Sequence, residues 1–195
     1  MDRDVQAFFD GAYARHPRYW WRRPERHSTD PEHHRQSLLT RELLLELQGK
    51  PPGRALDLGA GEGADAIRIA RLGYDVDAVE GSAVGAQKIR DFARQEHVHV
   101  NVHHESVEKF VSVESYDVVI CNGVLHYLHD KGHTLHKMRE CTAPGGLVAV
   151  SLFTNHTPVP PPHRVIPVYP DQEDGEVAAA FRDWQTRSWL WSGYR

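Results

Sequence analysis

The 195 residues include 40% hydrophobic side chains and carry a formal net charge of −4, which suits one compact domain rather than two. The acidic balance argues against nucleic acid as the main partner, because such binding relies on clustered Lys and Arg. No apolar run approaches the roughly 18 residues of a membrane span, and the charged start MDRDVQAFFD is unlike a secretory signal, so we expect a cytoplasmic protein without a membrane partner.

The first segment is rich in aromatic residues and arginine, in the stretch YARHPRYWWRRPERHS. A helix is predicted after it, with Asp30 as its N-cap, Pro31 at its first position and Gly49 just past its end. We expect residues 1–52 to form a helical cap or lid that packs, as one globular unit, on a domain spanning residues 53–195.

Short apolar runs then alternate with amphipathic ones, which is typical of βαβ units. Strands are predicted at 54–58, 74–79, 98–103, 116–121, 146–153 and 186–191. Helices are predicted between them, one ending at Gly73, one capped by Ser82 and one stopping at Pro144. The pattern predicts an α/β fold with a Rossmann-like, doubly wound, mostly parallel sheet and helices on both faces.

The predicted sheet lacks a seventh strand, because the chain stops after the sixth. A sheet left in that state exposes an edge that favours pairing between chains. A homodimer is therefore one expectation, and a shortened variant or a seventh strand supplied in another way are the alternatives.

The stretch ALDLGAGEGADAIRIA raises the question of a cofactor. Gly59, Gly61 and Ala64 satisfy a relaxed dinucleotide fingerprint, and Glu80 lies about 20 residues on, as a ribose-binding acid should. Asp57 and Glu62, however, place two carboxylates in and beside the turn. These would repel a pyrophosphate, whereas S-adenosylmethionine presents an ammonium, a sulfonium and one carboxylate. The charges favour S-adenosylmethionine over NAD.

Five segments carry a family resemblance. LDLGAGEG resembles the first motif of class I S-adenosylmethionine-dependent methyltransferases, and VEGS resembles the acidic end of their second strand. HHESVEKF, YDVVICNGVLHYLHD and APGGLVAVSLF are similar to the adenine turn, the fourth strand with its loop, and the turn before the fifth strand. Phe9, Tyr13, Tyr19 and Trp20 are similar to an early pattern of the short tellurite-resistance and thiopurine-like group, which methylates small molecules.

The resemblance implies a set of cofactor-binding residues. The methionine portion would lie against the glycine turn, the ribose hydroxyls would bind Glu80, and the adenine would border the segment after the third strand. Asn122 would lie under the methionine amine. The full set is Asp57, Gly59, Ala60, Gly61, Gly63, Glu80, Gly81, Ser82, Glu105, Ser106, Val107 and Asn122. Ordinary turn and cap chemistry remains the alternative for each position.

The implied reaction is an in-line displacement at the methyl carbon, which leaves S-adenosylhomocysteine as the product. Alignment in a dry site supplies much of the rate, and a general base is needed only if the acceptor must lose a proton. His126 and Tyr127 follow Asn122 in the loop nearest the expected methyl group. We nominate His126 as a base and Tyr127 as a pocket residue, with packing inside the loop as the alternative.

Two segments outside the motifs are candidates for acceptor binding. Tyr19, Trp20 and Arg22 could close over the cofactor and bind an anionic acceptor, or could simply pack. A proline-rich stretch with six prolines between residues 154 and 170 is stiff enough for a lid, and His163 and Arg164 are its nominated contacts.

A metal site is not expected. His126, His129, His133 and His136 have helical spacing, but the turn Asp130-Lys131-Gly132 interrupts that stripe. The two cysteines lack CxxC spacing and are interpreted as buried free thiols.

Three functions remain open. The first is a methyltransferase that acts on O, N, S or a chalcogen of a small molecule. The second is a methyltransferase for nucleic acid or protein, and the third is a protein that binds S-adenosylmethionine without methyl transfer, as a scaffold, regulator or cyclisation catalyst. A nicotinamide dehydrogenase is a more distant alternative.

Overall fold

The computed structural model describes residues 2–19, 37–156, 158–172 and 175–186. Five strands form one sheet in the order β3-β2-β1-β4-β5, and every pair is parallel. The strands are β1 Arg54–Leu58, β2 Asp75–Glu80, β3 Asn101–His104, β4 Tyr116–Asn122 and β5 Thr142–Ser151. This confirms the predicted Rossmann-like α/β fold.

Six α-helices accompany the sheet in the described residues. They are α1 Arg3–Arg15, α2 Leu38–Leu47, α3 Ala64–Arg71, α4 Ala83–Gln95, α5 Gly132–Cys141 and α6 Glu176–Ala180, with 3₁₀ helices at Leu125–Tyr127 and Pro161–Val165. None of these described helices is long and apolar enough to cross a membrane.

Both faces of the sheet are covered by helices, as the alternation of β4 shows. Val118 and Ile120 pack in one cluster with residues of α2 and α3, whereas Val119 and Cys121 pack in another with residues of α5 and α6. Because successive strand residues point to opposite faces, an apolar run without polar alternation fits this doubly covered position.

The strand order reverses direction at β1, which lies between β2 and β4. Ligands of open α/β sheets bind outside the carboxyl ends of the strands at such a point. The loops after β1, β2 and β4 therefore meet at one edge of the sheet and define the candidate site.

Several boundaries differ from prediction. The helix expected from residue 30 is described only as α2, and its N-cap is Ser37, whose Oγ accepts from Thr40 N. β5 begins at Thr142 because that residue pairs with Tyr116 before a register shift. The predicted sixth strand, 186–191, lies outside the described residues from position 187 onward.

Candidate functional site

The glycine turn joins β1 to α3, and Gly61, Glu62 and Gly63 within it are buried. Gly59 N and Ala60 N donate to Val79 O at 2.8 and 3.0 Å, which ties the turn to the end of β2. Gly59 has a φ of +74°, and a Cβ there would lie 2.4 Å from Val124 Cγ2. Only glycine fits both conditions, because the left-handed backbone disfavours a side chain and Val124 occupies the space where one would begin.

Glu80 ends β2 beside this turn. One of its oxygens accepts from Gly61 N and the other from Ser82 N, both at 2.7 Å. Burial raises the pKa of Glu80 to about 7, helped by the charge of Asp10, and the two N–H groups oppose that shift. Each oxygen keeps a second lone pair for a ligand hydroxyl.

Asp57 lies on β1 directly beneath the turn, with 2% of its surface exposed. Its Oδ2 accepts from Ala66 N at 3.2 Å. Burial raises the pKa of Asp57 well above its usual range, and the charges of Asp65 and Glu80 raise it further. Asp57 and Glu80 therefore border the turn, with Asp65 close enough to act on Asp57 and Asp10 close enough to act on Glu80.

The side chain of Asn122 joins a polar network at the end of β4. Its Nδ2 donates to Asp65 Oδ2 at 2.7 Å and to Ser37 Oγ at 3.0 Å, and its Oδ1 accepts from Ser151 Oγ at 2.5 Å. Thr40 Oγ1 also donates to Asp65, at 2.6 Å. This network joins α2, α3, β4 and β5, and the assigned contact of Asn122 with a methionine amine stays a prediction.

The residues nominated for the adenine follow β3. Glu105 N donates to Glu80 O at 3.1 Å, so the ends of β2 and β3 lie side by side. Glu105 is exposed, Ser106 is half-buried and Val107 is buried in the core. The sheet order thus brings these three residues next to the proposed ribose site.

The N-terminal helix contributes two contacts that sequence reasoning missed. Gln6 Nε2 donates to Gly81 O at 2.9 Å, and Asp10 Oδ1 accepts from Ser82 Oγ at 2.5 Å. Ser82 also caps α4, since its Oγ accepts from Gly85 N. No local motif indicates these contacts, because they join positions more than 70 residues apart.

His126, the nominated base, is buried against Phe153. Its Nδ1 accepts from Phe153 N at 3.1 Å, and the two rings stack at 3.9 Å. Nε2 has no hydrogen-bond partner among the described residues. Burial lowers the pKa of His126 to about 3, with further contributions from His163 and Lys131. The ring is neutral at physiological pH and is a weak base in this state.

Tyr127, His163 and Tyr19 meet, although three separate segments supply them. Tyr127 Oη lies 2.6 Å from His163 Nδ1, and Tyr19 Oη lies 3.4 Å from His163 Nε2. Phe8 and Phe9 pack their rings on His163 at 5.5 and 6.0 Å. We call Tyr19, Tyr127 and His163 the acceptor-side cluster, after the acceptor-facing positions that the sequence predicts for them.

The other residues predicted to bind the acceptor do not join this cluster in the described structure. Arg164 is exposed, and its Nε donates to Val159 O at 3.0 Å. Trp20 and Arg22 lie outside the described residues.

The histidine stripe does not form a metal site in the described part of the chain. His126 is buried in the 3₁₀ helix, whereas His129, His133 and His136 are exposed. No group of three or more His, Cys, Asp or Glu with metal-binding geometry occurs among the described residues. Cys121 and Cys141 are free thiols.

Glu62 is fully buried and neutralised, which the sequence argument did not foresee. Its Oε1 accepts from Lys88 Nζ and its Oε2 accepts from Tyr19 N, both at 2.6 Å. The repulsion of a pyrophosphate expected from Glu62 is therefore weakened. The electrostatic preference for a cationic ligand is carried instead by Asp10, Asp57, Asp65 and Glu80.

These groups fit S-adenosylmethionine. The turn places its main-chain groups between β1 and α3, and the carboxylate of Glu80 lies beside it, bound to Gly61 N. The surrounding carboxylates can receive ligand hydroxyls and the positive charges of an ammonium and a sulfonium. The pKa values of Asp57 and Glu80 are raised mainly by burial, and neighbouring carboxylates add a smaller contribution in the same direction.

Comparison with known proteins adds evidence of descent. A family profile described as a methyltransferase domain matches residues 32–190. A ubiquinone biosynthesis O-methyltransferase of Rickettsia akari is 26% identical over 96 residues, which cover 49% of this chain and 38% of that protein.

Two solved structures share the fold. The crystal structure of TehB from Haemophilus influenzae superposes with a TM-score of 0.62 at 21% identity, over 74% of this chain and 50% of that one. A methyltransferase from Geobacter sulfurreducens in complex with S-adenosylhomocysteine gives a TM-score of 0.52 at 23% identity, over 58% and 47%. The chain spans about two fifths of the length of the ubiquinone methyltransferases it matches.

Proposed function

Because this chain belongs to the methyltransferase domain family, we propose that it is an enzyme that uses S-adenosylmethionine to methylate a small molecule. The observation that carries the proposal is the glycine turn with the carboxylate of Glu80 bound to Gly61 N and with the buried Asp57 on the strand that leads into it. This arrangement suits a ligand with two positive charges and vicinal hydroxyls, and it does not suit a pyrophosphate.

In this proposal, the residues of the chain bind the cofactor and orient it toward the acceptor. Glu80 accepts the ribose hydroxyls, the turn backbone holds the methionine portion, and Glu105 to Val107 border the adenine. The cofactor supplies a methyl group on a sulfonium, which is already activated for displacement. The protein therefore has to align the acceptor and exclude water rather than provide strong acid or base chemistry.

The acceptor binds at the acceptor-side cluster. Tyr19, Tyr127 and His163 come from the N-terminal segment, the loop after β4 and the proline-rich segment, and they contact one another beside a packed cluster of aromatic and aliphatic side chains. A site beside these buried rings favours a small acceptor over a macromolecule. O, N, S and chalcogen atoms all remain acceptor candidates, and the O-methyltransferase name of one relative favours oxygen.

The experiment is calorimetric titration of the purified, metal-free protein with S-adenosylmethionine, S-adenosylhomocysteine and NAD in parallel. Micromolar binding of both sulfur nucleosides without heat from NAD is expected. Preferential NAD binding, or no binding of either sulfur nucleoside, would contradict the proposal.

Turnover separates an enzyme from a protein that only binds the cofactor. Release of S-adenosylhomocysteine is measured with catechol, amine, thiol and chalcogen-anion acceptors. Sustained turnover with one class supports methyl transfer. Binding without turnover in any class supports a regulatory or scaffold role instead.

We also propose a domain organisation for the chain. Residues 1–52 act as a cap on the domain formed by residues 53–195, and the contacts of Gln6 and Asp10 with Gly81 and Ser82 support this role. Homodimer formation through the sheet edge at β5 is a further proposal, and sedimentation velocity over a range of concentrations tests it.

A further inference from the structure

Glu62 lies inside the cofactor turn, between Gly61 and Gly63, yet its carboxylate binds groups from outside the turn. None of its surface is exposed. One oxygen accepts from Lys88 Nζ and the other from Tyr19 N, both at 2.6 Å. The turn is thereby joined directly to the N-terminal segment.

Lys88 holds the same segment from the first turns of α4. Its Nζ donates to His16 O at 2.5 Å and to Pro17 O at 3.2 Å, in addition to Glu62. The three donors of the ammonium therefore have three acceptors. Since the side chain of Lys88 is only 17% exposed, water screens this ion pair weakly.

The segment fixed in this way continues to the acceptor side. Tyr19, whose N–H is bound by Glu62, places its hydroxyl 3.4 Å from His163 Nε2. His163 belongs to the 3₁₀ helix Pro161–Val165, and its other nitrogen lies 2.6 Å from Tyr127 Oη. A continuous set of contacts thus runs from the glycine turn to the proline-rich segment.

We infer that Glu62 and Lys88 are positioning residues that couple occupation of the glycine turn to the order of the acceptor-side cluster. This inference rests on the proposed function. A ligand that orders the backbone of Gly61 and Gly63 also orders Glu62 between them. The conformational entropy of Tyr19 and His163 is then reduced before the acceptor arrives. Binding of the acceptor therefore carries a smaller entropic cost.

The test is hydrogen exchange measured by mass spectrometry, with and without saturating S-adenosylhomocysteine. In the wild-type protein the ligand slows exchange in the peptide 8–19 and in the peptide 159–168. In Lys88→Met the ligand still binds within threefold of the wild-type affinity, but the slowing in both peptides falls at least threefold. Lys88→Arg keeps the positive charge and is expected to restore part of the ligand-dependent slowing of exchange in both peptides.

A matched control is Lys50→Met. Lys50 makes an ion pair with Glu46 at the exposed end of α2, at 2.9 Å, and takes no part in the contacts of Glu62 and Lys88 described above. This variant keeps the wild-type protection of both peptides. Equal loss in Lys50→Met and Lys88→Met would overturn the inference, because a general loss of stability would then explain it.

Tyr19→Phe tests the far end of the same path and serves if Lys88→Met does not fold. It keeps the main-chain bond to Glu62 and removes only the hydroxyl near His163. Protection of peptide 8–19 is retained, and protection of peptide 159–168 falls at least threefold. Unchanged protection of peptide 159–168 overturns the inference while leaving the proposed function intact, whereas a wild-type protein that does not bind S-adenosylhomocysteine overturns both.

Discussion

At the scale of single residues, the site is governed by carboxylates that burial disfavours in their charged form. Glu80 has 5% of its surface exposed and Asp57 has 2%, and neither forms an ion pair with Lys or Arg in the described part of the chain. Main-chain N–H groups stabilise both, at Gly61, Ser82 and Ala66. Such residues cost folding stability and are retained where they bind something.

Replacing Glu80 tests its binding role. Glu80→Ala should weaken affinity for S-adenosylmethionine by on the order of 1–3 kcal/mol, because charged hydrogen bonds to the ligand are lost. Calorimetry measures this, with the exposed acid of Glu140→Ala as the matched control. A folded Glu80→Ala protein with unchanged affinity would rule out the assigned contact.

The pH dependence of binding follows from the pKa of Glu80, which is about 7 in the free protein. A ligand that needs the ionised carboxylate lowers this pKa when it binds. Affinity for S-adenosylhomocysteine should therefore rise about tenfold between pH 6 and pH 8 and level off above that range. Glu80→Gln should bind weakly with little change across the range, and an equally steep rise in that variant would assign the titration to another group.

His126 is expected to be structural rather than basic. Its Nδ1 accepts the N–H of Phe153, so His126→Ala leaves that buried donor unsatisfied and opens space beside the ring. The free energy of unfolding should fall by about 1–3 kcal/mol in urea titrations, while affinity for S-adenosylhomocysteine stays within threefold. Unchanged stability with lost turnover would instead support the catalytic assignment.

At the scale of elements, the turn between β1 and α3 is specified by sterics. Gly59 has a φ of +74° and faces Val124, whereas Gly49 has a φ of +75° with nothing within 4 Å of a built Cβ. The two positions share the same backbone conformation and differ in the space available for a Cβ atom. Comparing alanine substitutions at the two positions therefore separates the cost of the contact with Val124 from the cost of the backbone conformation.

Gly59→Ala should therefore destabilise the protein more than Gly49→Ala. The left-handed backbone costs about 1–2 kcal/mol at either site. The contact with Val124 adds a further cost only at Gly59. Urea unfolding measures both variants, and Val124→Ala combined with Gly59→Ala should recover part of the difference as a favourable coupling energy. Equal destabilisation at the two glycines would contradict this account of the turn.

At the scale of the whole molecule, the residues proposed to bind the cofactor and the acceptor come from segments that are distant along the chain. These segments are the turn after β1, the ends of β2 and β3, the loop after β4, α1 and the proline-rich segment, and hydrogen bonds join several of them. A ligand that binds only the folded state adds its binding free energy to the stability of that state.

Thermal unfolding should report this linkage. At 100 times the dissociation constant, S-adenosylhomocysteine adds about 2.7 kcal/mol, and Tm should rise by roughly 5–10 °C for a protein of this size. NAD at the same concentration should leave Tm unchanged. A shift with NAD equal to that with S-adenosylhomocysteine would favour a dinucleotide site.

The amino-acid sequence alone determined the five described strands to within a few residues, the glycine turn and the acid at the end of β2. These depend on local periodicity and on motif spacing, which act over a few tens of residues. The predicted strand at 54–58 matches β1, and Glu80 lies beside the turn as expected. The predicted strand ends were less exact. β5 begins at Thr142 because that residue pairs with Tyr116, whereas the apolar pattern in the sequence begins at residue 146.

Only the tertiary structure decided which charges are neutralised and which side chains meet. Glu62 is paired because α4 brings Lys88 to it across 26 positions, and Ser82 reaches Asp10 across 72. Tyr19 and His163 meet across 144 positions. Such contacts depend on the path of the whole chain over the sheet, and that path is set by the packing of both faces rather than by any short run of residues.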